Sequence, residues 1–230
     1  VAGQGTELSK LNLSNVRIVG ASATGALAGS VNGTSVHQIS VTGSVQGLDY
    51  TGGIIGNSLN NDVVASRHIG SVSAQNKAGG IVGASSNTNF SLVYHIGSVI
   101  GDESAGGIVG SLIGNISDAY SAGYVSGKGN IGGIAGQVYD SGNNDSLARN
   151  YSVSRISTDT ENNGQVGMLF GVIANDNLVL TSNYYLHNTA YQNTSYGAVG
   201  QSVAADTSIA LTSEQLTCPQ QSNDVNCLLA

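Results

Sequence analysis

Two histidines stand at equivalent positions of a repeated segment and are the first candidates for chemistry. His68 and His95 each begin a His-Ile-Gly-Ser-Val segment, one in each of two successive copies. Stacked parallel coils place equivalent residues about 5 Å apart, so the two imidazoles should stack on one face. Such a pair could bind a metal ion or respond to pH. The equivalent positions in the flanking repeats are Val41 and Ser121, so a third ligand is missing, and we predict no metal and no cofactor. The alternative interpretation is two exposed polar residues in a repeat register.

The position before each histidine forms a second column of possible binding residues. This column reads Ser40, Arg67, Tyr94, Tyr120 and Tyr151. A flat face that carries Arg, His and Tyr could stack on sugar rings or bind a protein partner. The predicted surface binding residues are therefore Arg67, His68, Tyr94, His95, Tyr120 and Tyr151. Ordinary packing of aromatic residues along an exterior sheet is the alternative.

Carboxylates are sparse, and they form no evident catalytic pair. The candidates in turns are Asp102, Glu103, Asp118, Asp140, Asp159 and Glu161. None has the partner that glycoside hydrolysis requires, and the sequence contains no nucleophile elbow and no phosphate-binding loop. We therefore predict that the chain is not an enzyme. A carbohydrate-active solenoid stays as a less favoured alternative, since folds of this kind can carry such chemistry.

A glycine-flanked apolar phrase recurs along the chain and must position these residues. The clean copies are Thr51–Gly56, Ala78–Gly83, Ala105–Gly110 and Ile131–Gly136, as in Ala-Gly-Gly-Ile-Val-Gly. A weaker copy precedes them at 24–29, and two degenerate copies follow at 166–171 and 196–200. The closing glycines of the first five copies recur about every 27 residues, and a fixed period in this range indicates a repeat architecture.

Two further columns accompany the phrase and show the alternation of strands. One contains Val41–Val45, His68–Val72, His95–Val99 and Ser121–Val125, where apolar residues alternate with polar or small ones. The other contains Val36, Val63, Phe90, Ile116, Leu147 and Leu178. The sequence therefore predicts an all-β, parallel β-solenoid of about seven coils, with a ~27-residue repeat and about three short strands in each coil. In each phrase either the Ile or the Val should point inward.

The ends of the chain depart from the repeat. We predict an incomplete first coil or cap over residues 1–23, solenoid repeats over 24–200, and an irregular C-terminal tail or cap over 201–230. Terminal repeats of a solenoid must be atypical, because an open end is an exposed sheet edge. Cys218 and Cys227 both lie in the tail, and their even number and loop-compatible spacing predict a disulfide and an oxidising compartment. The alternative is two free thiols.

Composition excludes several classes of function. Only 9% of residues are charged and the net charge is −7, with the seven basic residues scattered. Nucleic-acid binding through phosphate neutralisation is therefore not expected. No apolar run approaches the roughly 18 residues that a membrane helix needs, so we predict no transmembrane segment.

The phrase Gly-Gly-Ile-Val-Gly, followed by the strand Tyr120-Ser121-Ala122-Gly123-Tyr124-Val125, resembles the GLUG repeat. The resemblance covers roughly residues 20–216 and includes Asn183-Tyr184-Tyr185 near its end. GLUG repeats occur in large bacterial surface proteins, adhesin-like passengers and some immunoglobulin-A-cleaving metalloproteases. The resemblance implies a solenoid on a secreted or surface-anchored bacterial protein. It brings no catalytic residues, and this chain contains no His-Glu-x-x-His motif.

These observations predict a non-catalytic structural or adhesive module, extracellular or at a bacterial cell surface. Its partner would be a protein or glycan ligand at a cell surface, or copies of itself. The alternatives are a self-associating filament or stalk subunit, a carbohydrate-active protein and an ice-binding protein. The ice-binding alternative has weak support, because the hydroxyl ladder of Ser44, Ser71 and Ser98 ends at Tyr124 and no Thr-x-Thr series exists.

Overall fold

The chain forms a parallel β-solenoid of about seven turns, as the repeat predicts. A computed structural model describes residues 5–142, 145–158, 165–175, 177–187, 197–202, 206–212 and 215. Strand pairings between the described residues join segments from successive coils in parallel, and the spacing of paired residues along most of the stack is that of the repeat. The fold class predicted from the glycine phrase is therefore confirmed.

Four parallel sheets run along the solenoid, and they are numbered in the order in which the chain first enters them. Sheet 1 contains β1 (Glu7–Ser9), β5 (Ser35–His37), β9 (Asp62–Val64), β13 (Asn89–Ser91), β17 (Ile116–Ser117), β21 (Ser146–Ala148) and β26 (Val179–Thr181). Sheet 2 contains β2 (Asn12–Val19), β6 (Ser40–Gln46), β10 (Arg67–Ala74), β14 (Tyr94–Gly101), β18 (Tyr120–Gly127), β22 (Tyr151–Ser152), β23 (Arg155–Thr158), β27 (Tyr184–Leu186) and β29 (Ile209–Leu211). Sheet 3 contains β3 (Ala23–Gly25), β7 (Tyr50–Gly52), β11 (Lys77–Gly79), β15 (Ser104–Gly106), β19 (Asn130–Gly132) and β24 (Val166–Gly167). Sheet 4 contains β4 (Ala28–Asn32), β8 (Ile55–Leu59), β12 (Val82–Ser86), β16 (Val109–Ile113), β20 (Ala135–Tyr139), β25 (Phe170–Ile173) and β28 (Val199–Ser202).

The glycine phrase forms a corner between sheets 3 and 4, which is why a coil has four strands where the sequence predicts about three. β7 ends at Gly52 and β8 begins at Ile55, so the chain bends within the phrase. In a straight strand, successive side chains point to opposite faces. Because the chain bends here, both Ile54 and Ile55 point inward and are fully buried. The expectation that only one of the two apolar residues points inward is therefore wrong.

The interior is one continuous stack of aliphatic and aromatic side chains. The sheet 1 column places Val36, Val63, Phe90, Ile116 and Leu147 in successive register, all with at most 1% of their surface exposed. The sixth member is Leu180 rather than the predicted Leu178, since Leu180 pairs with Leu147. These two leucines are further apart in the sequence than one regular repeat, and the extra length moves the register.

A glycine column runs through the middle of sheet 2 and has a steric cause. Gly43, Gly70, Gly97 and Gly123 are stacked in register, and their φ angles lie between 130° and 150°. A Cβ atom on Gly70 would overlap the main-chain oxygen of Gly43 in the preceding coil. Only glycine fits this conformation and this approach of one backbone to the next.

At the ends of the chain, the described residues follow the same four sheets. β1, β2 and β3 pair with β5, β6 and β7, with an irregularity in the register between Leu13 and Val16. β29 pairs with β27. The predicted disulfide partners Cys218 and Cys227 lie outside the described residues. The part of the chain that is described contains no helix long and apolar enough to cross a bilayer.

The steric role of the sheet 2 glycine column predicts that Gly70→Ala destabilises the fold by at least about 2 kcal/mol, from backbone strain and the clash with the preceding coil. Gly197→Ala is the matched control, because its Cβ would meet no atom of the described residues closer than 3.6 Å. Denaturant unfolding followed by circular dichroism measures both. Equal stability of Gly70→Ala and the wild type would contradict the structure.

Candidate functional site

Sheet 2 separates the predicted site residues onto opposite faces. Successive residues of a strand point to opposite sides. Arg67 therefore faces solvent, while the next residue, His68, is fully buried. Tyr94 and His95 are separated in the same way, and His95 is 1% exposed. The prediction that His68 and His95 lie on the surface beside Arg67 and Tyr94 is corrected by this alternation.

The two buried histidines stack on each other, as their spacing predicts. Their ring centroids are 5.1 Å apart and the ring planes differ by 13°. The Nδ1 atoms are 3.2 Å apart, within hydrogen-bond distance. One ring must donate Nδ1–H and the other must accept it, so a neutral pair requires opposite tautomers. Neither Nε2 atom has a hydrogen-bond partner among the described residues.

The second glycine of each phrase makes space for the inward-facing residue of sheet 2. A Cβ on Gly53 would overlap the ring of His68, and a Cβ on Gly80 would overlap the ring of His95. The Gly-Gly dipeptide is thus needed for packing against the histidine pair as well as for the bend. Sequence reasoning missed this contact, because the partners lie on different strands and no periodicity links them.

Burial keeps both histidines neutral. Loss of hydration lowers the pKa of His68 to about 4, an effect that main-chain groups of Gly43 and Gly80 partly offset. Burial and the neighbouring charge of His68 lower the pKa of His95 to about 3. The pair is therefore an uncharged part of the core at neutral pH.

The outer face of sheet 2, hereafter the outer face, carries the remaining predicted site residues. Its rows across the strands are Ser40, Arg67, Tyr94, Tyr120 and Tyr151; then Thr42, Ile69, Ile96 and Ala122; then Ser44, Ser71, Ser98, Tyr124 and Arg155; and then Gln46, Ser73, Ile100, Ser126 and Ser157. Arg67 and the three tyrosines of the first row are brought together as predicted. The face as a whole is a regular array of hydroxyl, aliphatic and aromatic groups.

Two of the three tyrosine rings of the first row stack on each other along the solenoid. Tyr120 and Tyr151 have ring centroids 5.7 Å apart at an interplanar angle of 24°. Burial, with a smaller effect of Tyr120, raises the pKa of Tyr151 to about 12. Because these two ring faces contact each other, what the pair presents to a ligand is mainly ring edges and hydroxyl groups.

Arg67 connects three successive coils on this face. Its Nε donates to Ser40 Oγ at 3.0 Å, and its Nη1 donates to Tyr94 Oη at 3.1 Å. The guanidinium carbon lies 6.0 Å from the centroid of the Tyr94 ring. These contacts fix the orientation of the guanidinium at the surface.

The sequence-based site missed four exposed apolar residues that β10, β14 and β18 place on the outer face. Ile69, Ile96, Ile100 and Tyr124 are 37–43% exposed. Their signal was available in the sequence, because each stands an even number of positions from Arg67, Tyr94 or Tyr120 in the same strand. The histidines next to that column have the opposite parity and belong to the interior.

The described part of the chain shows no grouping of three or more His, Cys, Asp or Glu side chains that could hold a metal ion. Asp118 accepts two hydrogen bonds from Arg149 at 2.7 Å, which hold the pKa of its carboxyl group below the ordinary value. Asp102 accepts one from Lys128 at 2.8 Å. These carboxylates sit in surface ion pairs, whereas Asp159 and Glu161 lie outside the described residues.

Comparisons with known proteins support the fold and go no further. No family model matches the chain, and no curated protein matches it. A solved structure with a similar fold is that of a putative immunoglobulin A1 protease from Bacteroides ovatus. The two align with a TM-score of 0.59 at 18% sequence identity, over 91% of this chain and 68% of the other. At this identity the similarity shows a shared solenoid fold alone.

The buried histidine pair predicts a specific loss of stability in acid. The pKa values of both histidines in the folded state lie below the ordinary value of 6.5, so each histidine binds a proton more readily in the unfolded chain than in the folded one. The difference extends from pH 6.5 down to about 4 for His68 and down to about 3 for His95. The free energy of unfolding should therefore fall as pH decreases below 6.5, by about 1.4 kcal/mol per pH unit for each histidine. Replacing both by valine, the residue at the equivalent position 41, should remove most of this slope.

Chemical denaturation between pH 7 and 4.5 measures the slope in wild type and in the double variant His68→Val, His95→Val. His187→Asn is the control, because His187 is an exposed histidine outside the buried pair. The control should keep the wild-type slope. An unchanged slope in the double variant would show that the pair is not buried in neutral form.

Proposed function

We propose that this solenoid is a non-catalytic binding module of a bacterial secreted or surface protein, and that the outer face of sheet 2 contacts its ligand. The observation that carries the proposal is the exposure of Ile69, Ile96, Ile100 and Tyr124 on one flat face beside Arg67. Soluble proteins bury such side chains where they can, and an ordered exposed array of apolar and aromatic groups is typical of an interaction surface.

The rigid backbone supports this role. β10 and β14 pair along eight residues each, with the glycine column locking the backbones against each other. A ligand would therefore meet a surface that is already ordered, and little conformational entropy would be lost on binding. The resemblance to GLUG repeats, with its implication of an extracellular location, agrees with this proposal and remains a prediction.

A variant of the outer face tests the proposal. The triple substitution Ile69→Ser, Ile96→Ser and Tyr124→Ser removes exposed apolar groups while leaving the interior columns intact. Binding of purified protein to a panel of immobilised glycans and extracellular-matrix proteins should fall at least about tenfold, since a few central apolar contacts supply most of the binding energy of an interface.

The matched control removes three exposed apolar residues from other parts of the solenoid. Leu48, Tyr50 and Val179 are 44%, 37% and 50% exposed and lie outside sheet 2. Their triple serine variant should bind as the wild type does. Equal loss of binding in both triple variants, or full binding by the outer-face variant, would refute the assignment of the ligand to this face.

A further inference from the structure

The outer face carries an unusual charge pattern for this chain. The chain has 14 acidic and 7 basic residues, yet none of the nine strands of sheet 2 contains Asp or Glu. The same strands contain Arg17, Arg67 and Arg155, all exposed. The carboxylate of Asp102 borders this face at Ile100 and Tyr124, where it is paired with Lys128 at 2.8 Å. On an acidic protein, strands without carboxylates attract anionic ligands more than the rest of the surface does.

Arg67 is the cation of this face whose surroundings are best defined. Ser40 and Tyr94 hold its Nε and Nη1 groups, and both of these partners are neutral hydroxyls. Among the described residues, no carboxylate lies within ion-pairing distance of Arg67. Its guanidinium is thus oriented in advance, and no described carboxylate neutralises its charge. Among the described residues Nη2 makes no hydrogen bond, so Nη2 and the second N–H of Nη1 can together donate two N–H···O bonds to a carboxylate.

A groove of about 390 Å³ opens beside this guanidinium. Its polar lining comprises Gln38, Ser40, Arg67 and Tyr94, and its apolar lining includes Leu92, which is 60% exposed. One amide, two hydroxyls, one guanidinium and an apolar wall are complementary to a sugar acid, which carries hydroxyls, a carboxylate and an apolar ring face.

The position of the groove within the sheet argues against an acidic peptide. β10 is paired with β6 on one side and β14 on the other, and β14 is paired with β18. No open strand edge adjoins Arg67 in this described region, so an extended peptide cannot add to the sheet through main-chain hydrogen bonds. A ligand here is therefore not recognised as an added strand, and the hydroxyl groups of the lining suit a saccharide.

We propose that the groove at Arg67 binds a carboxylate-bearing polysaccharide, with the uronate carboxylate on the guanidinium and the sugar ring against Leu92. This inference rests on the proposed function, because it assigns a ligand class to the same outer face. The flat array of neutral hydroxyls that continues across the coils would contact the neighbouring sugars of the chain.

Isothermal titration calorimetry with polygalacturonate tests the inference, with its fully methyl-esterified form as the neutral counterpart. The wild type should bind polygalacturonate and bind the ester at least about tenfold more weakly, since a charge-assisted hydrogen bond contributes more than a neutral one. Arg67→Gln should lose at least about tenfold in affinity, and Arg67→Lys should also lose affinity because it lacks the paired donors.

Lys77→Gln is the matched control for net charge. Lys77 lies in β11 of sheet 3, and its paired neighbours Tyr50 and Ser104 are uncharged, so glutamine is compatible with this site. This variant lowers the charge by the same amount as Arg67→Gln but lies outside the groove, and it should keep the wild-type affinity. Equal losses in the two variants would overturn the inference in favour of a general charge effect.

Three further results would overturn the ligand class. The first is binding of the ester as tight as that of polygalacturonate, and the second is tighter binding of poly-L-glutamate, which would assign an acidic peptide. The third is no binding of polygalacturonate at all. In each case the outer-face triple serine variant separates the two proposals: if it still loses binding to some member of the glycan and matrix panel, the proposed function stands and only the ligand class fails.

Discussion

The structure depends on parallel stacking of equivalent residues from one coil to the next. A single coil of about 27 residues has too few side chains to enclose its own apolar groups. When the next coil lies about 4.8 Å away in register, Val63 covers Val36 and Phe90 covers Val63. The close backbone approach that this spacing requires explains the glycines at positions 43 and 70. Stability, shape and the arrangement of the surface all follow from the same repeat.

The same stacking explains why the chain contains so few charged residues. Like charges directly opposite each other on adjacent strands are destabilising, and an in-register repeat places residues of the same type opposite each other in successive coils. Neutral amide side chains avoid this repulsion, and asparagines at equivalent positions can hydrogen-bond to each other. Asn60 donates to Asn32 at 3.1 Å, and Asn87 donates to Asn60 at 3.0 Å. Lys77 stands between Tyr50 and Ser104 in its column, with no cation on either side.

Much of the fold was predictable from the sequence, because repetition fixes which residues are neighbours. The period predicted the stacking of His68 on His95 and the row of Arg67, Tyr94 and Tyr120, and the structure contains both. The period does not say which face a column occupies. The face is given by strand parity, that is, by whether a residue is an odd or even number of positions from a known exposed residue. The surface position predicted for His68 was wrong because two adjacent columns, which must point to opposite faces, were assigned to one face. The bend within Gly52–Ile55 could not be predicted from the repeat period either, since it depends on where one sheet ends and the next begins.

The candidate site was predictable only in part, for a related reason. Arg67 and Tyr94 were visible as unusual residue types in a regular column. Ile69 and Ile96 do not stand out by residue type, because exposed and buried isoleucines look alike in the sequence. Their exposure can be read only from strand parity, counted from Arg67 or Tyr94 in the same strand. The groove beside Leu92 depends on a corner whose geometry no sequence pattern describes.

Sheet 2 places the two histidines inside and the Arg67 and Tyr94 side chains outside, and the proposed binding face depends on this division. Nuclear magnetic resonance of the histidine ring nitrogens between pH 7 and 5 tests the division most directly in the folded protein. We expect His68 and His95 to stay neutral across this range, with opposite tautomers joined through their Nδ1 atoms. Titration of either ring near pH 6.5 would place it in solvent and would contradict the division of the sheet into a buried face and a binding face.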